Sequence, residues 1–199
     1  MGLILSQAWA SETILGSPNA GGILDATALA ADGPGWIKLF QPRQRTWGSL
    51  NLVNLVQNAA DLLSQQFPGR SRLQVGDISK HEGGRVIGHR SHQNGLDADL
   101  AYFDLGDTEQ DSITGQDFAI DMVTPRGNVR PAFDFARNWT LVKVLAQAPE
   151  TQRMFVDRHL ITALCTHALS IQDPDAPGVF AKIGHFNNHS DHVHVRLQC

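Results

Sequence analysis

Between Ser49 and Phe67 the apolar residues Leu50, Val53, Val56, Ala60 and Leu63 recur three or four positions apart among polar neighbours, the spacing of one buried helix face. Ser49 stands where an N-cap belongs and Phe67-Pro68-Gly69 stops the run, so a helix is predicted across it. Helical periodicity returns near Phe135 to Ala146, through Leu141, Val142, Val144 and Leu145, and near Asp157 to Leu169, through Leu160, Ile161, Leu164 and Ala168. Elsewhere the apolar period is two. After the turn signal Asn94-Gly95, residues Leu96, Ala98, Leu100 and Tyr102 alternate with Asp97, Asp99 and Ala101, which predicts a strand over 96–103 with both carboxylates turned from its apolar side. His192 to Leu197 alternates in the same way, His192, His194 and Arg196 on one face and Val193, Val195 and Leu197 on the other. A further short strand is predicted over Arg72 to Ile78.

The remaining chain is punctuated by turn formers. The first forty-odd residues, rich in Gly, Pro, Ser and Ala, predict loops with short strands that wrap the core. Lys80 to Gly88 is a loop, Asp173 to Gly178 a break, and the polar stretch from Asp104 to Pro131 a long surface excursion of the kind that often carries function. No internal repeat or low-complexity tract interrupts this order. The pattern defines an α+β protein: a small antiparallel sheet carrying the chemistry, several helices packed against it, and long surface loops.

With 199 residues and 42% hydrophobic content the chain is long enough for one core and short for two, so residues 11–199 are read as a single domain. A net charge of −4, with Lys and Arg scattered, argues against a nucleic-acid partner. No stretch approaches the roughly 20 apolar residues of a transmembrane helix, and a soluble protein is expected. Residues 1–10 end in Ala8-Trp9-Ala10, a small-x-small pattern without the basic region and full apolar run of a signal peptide. They read either as a truncated signal-peptide remnant or as an ordinary terminus. Cys165 and Cys199 are compatible with a disulfide or with two free thiols. Composition says nothing of oligomeric state.

Six of nine histidines fall in two clusters a hundred residues apart, His89 and His92 with Asp97 and Asp99, and His185, His189, His192 and His194. Imidazole nitrogen and carboxylate oxygen are the usual donors of a catalytic zinc, which keeps three protein ligands and one open position. His92 and Asp99 with His194 supply that set. A structural zinc is usually closed by cysteines, and here the two thiols stand far from the histidine motifs in sequence. Asp97 reads either as a solvated carboxylate or as a partner that accepts a ligand's ring N–H. Arg90 and Arg196 are candidates to meet substrate carboxylates, with surface charge the plainer reading of Arg90. His159 and His167, on predicted helices, need no special role.

Ser91-His92-Gln93-x-Gly95-Leu96-Asp97-x-Asp99, taken with Asp191-His192-Val193-His194-Val195-Arg196-Leu197-x-Cys199, resembles the penicillin-insensitive murein endopeptidases, relatives of lysostaphin and of the D-alanyl-D-alanine metallopeptidases. The resemblance extends through Gly16-Ser17-Pro18, Val75-Gly76-Asp77-Ile78-Ser79, Gly83-Gly84, Asn138-Trp139 and Met154-Phe155-Val156, over nearly the whole chain. It implies that His92, Asp99 and His194 bind zinc, and that His89 lines the site or helps to hold a second metal. It also implies that His192 partners the ligands or takes part in catalysis, and that His189 matches a family histidine; since the terminal cluster has no glutamate, His189 or His192 is the candidate base, with His189 favoured as base and His192 as stabiliser of the oxyanion, in an order that could be reversed. The implied substrate is the D-alanyl to meso-diaminopimelyl cross-link between peptidoglycan stem peptides, and the implied compartment the periplasm. A Cys165 to Cys199 disulfide is implied as well; the family's other cysteines are missing. Two rival functions stand beside this one: a noncatalytic zinc-binding wall module and a stem-peptide carboxypeptidase.

Overall fold

The computed structural model of the protein describes residues 12–199, so the signal-like segment 1–10 lies outside the described residues. Helix α1 (Leu50–Gln66) forms as its spacing predicts: Ser49 Oγ accepts the Leu52 N–H at 3.2 Å, and Leu52, Val53, Val56, Ala59, Ala60 and Leu63 are buried. Leu50 is exposed, because the buried stripe begins one turn-position later, at Leu52. Helices α2 (Phe135–Gln147) and α3 (Arg158–Ser170) start on the side chains of Asp134 and Asp157, which accept the N–H of Arg137 and of His159. A fourth, α4 (Ala176–Ala181), forms inside the expected break; Pro177 sits in its first turn, where a missing N–H leaves no bond unmade.

Ten strands accompany these helices among the described residues. The hairpin β1 (Thr13–Ser17) and β2 (Ala20–Leu24) stands alone, and β3 (Thr27–Ala28) pairs across β4 (Trp36–Lys38) in sequence with β5 (Trp47–Gly48). The main sheet has six strands: β4, β6 (Leu73–Val75), β7 (Asp97–Ala101), β10 (His192–Leu197), β8 (Thr151–Val156) and β9 (Ile183–His185), in that spatial order. Its centre, β6-β7-β10-β8, is antiparallel as expected, but the outer pairs β4–β6 and β8–β9 are parallel. Parallel neighbours need a crossover. Helix α1 supplies the first, and α3 with α4 the second, which makes the sheet mixed and wider than the alternating segments alone suggest.

Register then sorts the two faces. His194 lies opposite Asp99, Arg196 opposite Asp97, and Phe155 opposite His194, while Ala98, Leu100, Val193, Val195 and Met154 turn to the other side and are fully buried with residues of all four helices. Helices therefore cover the apolar face, and the face that carries histidines and carboxylates is left to loops. The stem of the 104–134 excursion is fixed by Asn138, whose side chain both accepts the Phe103 N–H and donates to the Phe103 carbonyl, each at 2.9 Å. Beside it the buried Arg137 pairs with Asp134 and Asp107 at 2.8 Å each.

The disulfide implied by the resemblance is not formed: Cys165 and Cys199 are both free thiols. Cys165 belongs to α3, which packs against β9, two strands away from β10, and Cys199 follows β10 as an exposed residue.

Candidate metal centre

Asp99, on the central strand β7 and 1% exposed, is the hub on which histidines from two remote stretches converge. Its Oδ1 lies 3.2 Å from His92 Nε2, 3.0 Å from His194 Nδ1 and 3.5 Å from His192 Nε2, and its Oδ2 3.7 Å from His89 Nδ1. Nitrogens of the expected ligands His92 and His194 thus both lie within 3.2 Å of one oxygen of the third, Asp99. A donor atom from each of His89, His92 and Asp99 also falls within 4.8 Å of the other two.

The neutral imidazoles of both expected ligands are each held in one tautomer. His92 Nδ1–H donates to the Ile78 carbonyl at 2.7 Å, which leaves the lone pair on Nε2; His194 Nε2–H donates to Asp97 Oδ1 at 3.0 Å, which leaves it on Nδ1. Those two lone pairs are the ones aimed at Asp99. His92 holds a left-handed backbone (φ 64°), fixed by its own N–H donating to Asp97 Oδ2 at 2.9 Å. Asp97 thereby serves both ligands. Of the two readings of this residue, a solvated carboxylate does not hold: Asp97 is fully buried and accepts the ring N–H of His194, an expected ligand.

Arg196 also ends on Asp97, with Nε to Oδ1 at 2.6 Å, and its guanidinium lies over the Phe155 ring. Arg90 is exposed, as the plainer reading has it. On the other flank, the buried Asp77 accepts Arg43 at 2.9 Å, Arg45 at 2.7 Å and His89 Nε2 at 3.0 Å. Burial raises the Asp77 carboxyl, but the His89 hydrogen bond and the two guanidiniums outweigh it and hold the group at about 2.

The same balance governs the histidines. Burial disfavours the charged form of His194, yet the Asp97 and Asp99 carboxylates raise it to about 9, so a cation held at Nδ1 would take the place of a proton there. His189 and His192 are neighbours, with ring centroids 4.8 Å apart, and their shifts are opposite. Burial, followed by the charge of His192, lowers His189 to about 4; for His192 burial is overcome by Asp99 and by Asp191, which accepts its Nδ1–H at 2.5 Å, so it is raised. His185 lies apart: it is exposed and its ring nitrogens face the Val156 carbonyl and the Asn187 side chain.

Two atoms test whether a cation fits. His92 Nε2 and Asp99 Oδ1 are both buried without a hydrogen-bond partner, and a buried polar atom left unpaired costs about 1–3 kcal/mol. They belong to two of the three expected ligands, and a bound cation satisfies both at once. The donor set is imidazole nitrogen and carboxylate, of the borderline character that zinc accepts. Sequence reasoning did not find Asp77, Asp191, Phe155 or Phe118 at this site. Asp191 had the signal of adjacency to His192, whereas Phe118 arrives from a loop with no pattern of its own.

Fold and centre together define a mixed sheet with a cluster of histidines and carboxylates on its loop-covered face that could hold a cation. Residues 14–199 match the family described as penicillin-insensitive murein endopeptidase, and the chain belongs to that family. It is similar to proteins named penicillin-insensitive murein endopeptidase from Haemophilus influenzae (31% identical over 191 residues, 93% of this chain and 63% of the relative) and Klebsiella pneumoniae (30% over 188 residues, 93% and 66%). A protein of the same name from Escherichia coli O1:K1 is 30% identical over 188 residues, 93% of this chain and 66% of its own. The chain therefore spans somewhat under two thirds of the length of these relatives. No helix among the described residues is long and apolar enough to cross a membrane.

Proposed function

We propose that the chain is a zinc-dependent murein endopeptidase that hydrolyses the D-alanyl to meso-diaminopimelyl cross-link between peptidoglycan stem peptides, in the periplasm. The observation that carries this is the pair of buried, unpartnered donors, His92 Nε2 and Asp99 Oδ1, beside the His194 Nδ1 lone pair. Family membership and the relatives' names support the substrate. Zinc bound by His92, Asp99 and His194 would supply a Lewis acid that brings the pKa of a water down to about 7 and polarises the scissile carbonyl.

The chain's own residues do the rest. His189 donates Nδ1–H to the Asn187 carbonyl at 2.8 Å, so its Nε2 is the atom free to take the water proton and pass it to the leaving amine. Its lowered pKa keeps it neutral between turnovers and favours that delivery. His192, with Asp191 on Nδ1 and Asp99 near Nε2, is stabilised in its charged form by both carboxylates and is placed to stabilise the tetrahedral oxyanion. Asp97 holds His194 and His92, and Asp77 holds His89, whose Nδ1 lies 3.7 Å from Asp99 Oδ2 at the edge of the same cluster.

Digestion of isolated sacculi, followed by chromatography of the muropeptides, tests the proposal. Cross-linked dimers should become monomers, with loss of activity in chelator and recovery with zinc. Release of terminal D-alanine alone would make the protein a carboxypeptidase, and an unchanged profile a noncatalytic wall module.

A further inference from the structure

The excursion between β7 and α2 returns across the sheet and delivers an aromatic ring to the centre. Phe118 lies face to face on His192, with centroids 4.8 Å apart and planes inclined by 24°, and its edge meets Phe40 at 5.4 Å. Beneath it is Gly76: a Cβ at that position would fall 2.4 Å from Phe118 Cζ and 3.2 Å from Cε1. The loop around Phe118 is pinned on both sides. Gln41 bonds the Ser112 carbonyl and hydroxyl at 3.0 and 3.1 Å, Arg43 reaches the Gln116 carbonyl, and Met122 N–H donates to the Ser190 carbonyl at 2.7 Å, beside His189.

The hydrogen bond from His192 Nδ1 to Asp191 fixes one atom of the imidazole but leaves its plane free to tilt about that bond. Phe118 on one side and His189 on the other remove this freedom, and the ring is left with Nε2 pointing toward Asp99. We propose that Phe118 is a positioning residue, which by stacking sets the ring plane of His192, and that Gly76 is glycine to make room for it. This rests on the role given to His192 above.

The test is a set of variants of the full chain, each loaded with zinc and assayed on purified cross-linked muropeptide dimer. Misplacing a reacting group by about 1 Å costs on the order of 10²-fold. Phe118→Leu should therefore lower kcat roughly ten- to hundredfold, with KM and zinc content near wild type, and Phe118→His, which keeps a flat ring and adds nothing at its tip against Gly76, should recover part of it. Gly76→Ala should lower kcat by displacing the ring, and should cost little more when added to Phe118→Leu. The His192 ring protons, shifted upfield beneath Phe118, should move toward unstacked positions in Gly76→Ala, in which the phenyl ring is retained but pushed off the imidazole, while zinc content stays at the wild-type value.

Wild-type kcat in Phe118→Leu, or effects of Gly76→Ala and Phe118→Leu that simply multiply, would overturn the inference. His192→Ala separates the two levels. If it collapses turnover while Phe118→Leu does not, only Phe118 loses its role; if it leaves turnover intact, the role of His192 falls and this inference with it.

Discussion

Replacing Asp97 by asparagine changes one atom and sets the two ligands against each other. The carboxylate accepts His194 Nε2–H at 3.0 Å and Arg196 Nε at 2.6 Å on Oδ1, and the His92 N–H at 2.9 Å on Oδ2. An amide has one acceptor to offer. If its NH2 takes the Oδ1 place, His194 must accept on Nε2, its proton moves to Nδ1, and the lone pair aimed at Asp99 is gone. If the NH2 takes the Oδ2 place, it meets the His92 N–H and releases the left-handed backbone that presents His92. Either orientation disturbs one ligand. Loss of such an outer partner typically weakens metal affinity 10- to 100-fold, about 1.4–2.7 kcal/mol. Competition against a chromophoric chelator near neutral pH should read this shift in the zinc Kd, with circular dichroism to establish that the variant is folded. Wild-type zinc affinity in folded Asp97→Asn would refute the reasoning, because it would mean that neither tautomer nor backbone is set by this carboxylate.

Other perturbations reach different parts of the molecule. Asp77 is held at about 2, below its usual 3.8, so it contributes stability that is present above the unfolded value and is lost as pH falls from about 4 to about 2. The contribution is about 2 kcal/mol, and urea unfolding across that window should show a shallower decline in Asp77→Asn than in wild type. Asn138→Ala removes both bonds to Phe103 in a buried setting and should cost about 2–3 kcal/mol, measured by thermal unfolding, with the 104–134 loop becoming the first segment to exchange its amides. His189→Ala should lower turnover by about 10²-fold or more while zinc stays bound, checked by metal analysis beside the muropeptide assay. His159→Ala and His167→Ala, on α3, should leave activity unchanged.

Much of this arrangement could be read from residue order because strands make the reading simple. Alternation at His192 to Leu197 and at Leu96 to Phe103 sorts ligands from core with a period of two, and the observed register of His194 against Asp99 follows once both strands enter one sheet. Ser49 caps the helix it is expected to start, and α3 begins beside Asp157, where its helical spacing begins. What escaped was set by tertiary contact. Strand β8 has no clean alternation, since Gln152 and Arg153 are both exposed and only its neighbours β10 and β9 define it. The parallel outer pairs depend on crossovers that no local pattern reports. Phe118 sits in a polar run and becomes part of the centre only because Gly76 and His192 leave a slot of its shape.

Anomalous scattering at the zinc edge, from crystals of the chain grown with zinc, addresses the ligand set without recourse to activity. The predicted result is a peak in coordinating contact with His92 Nε2, His194 Nδ1 and an Asp99 carboxylate oxygen, which disappears in Asp99→Ala. A peak held by other residues, or none between these three in zinc-saturated crystals, would contradict it.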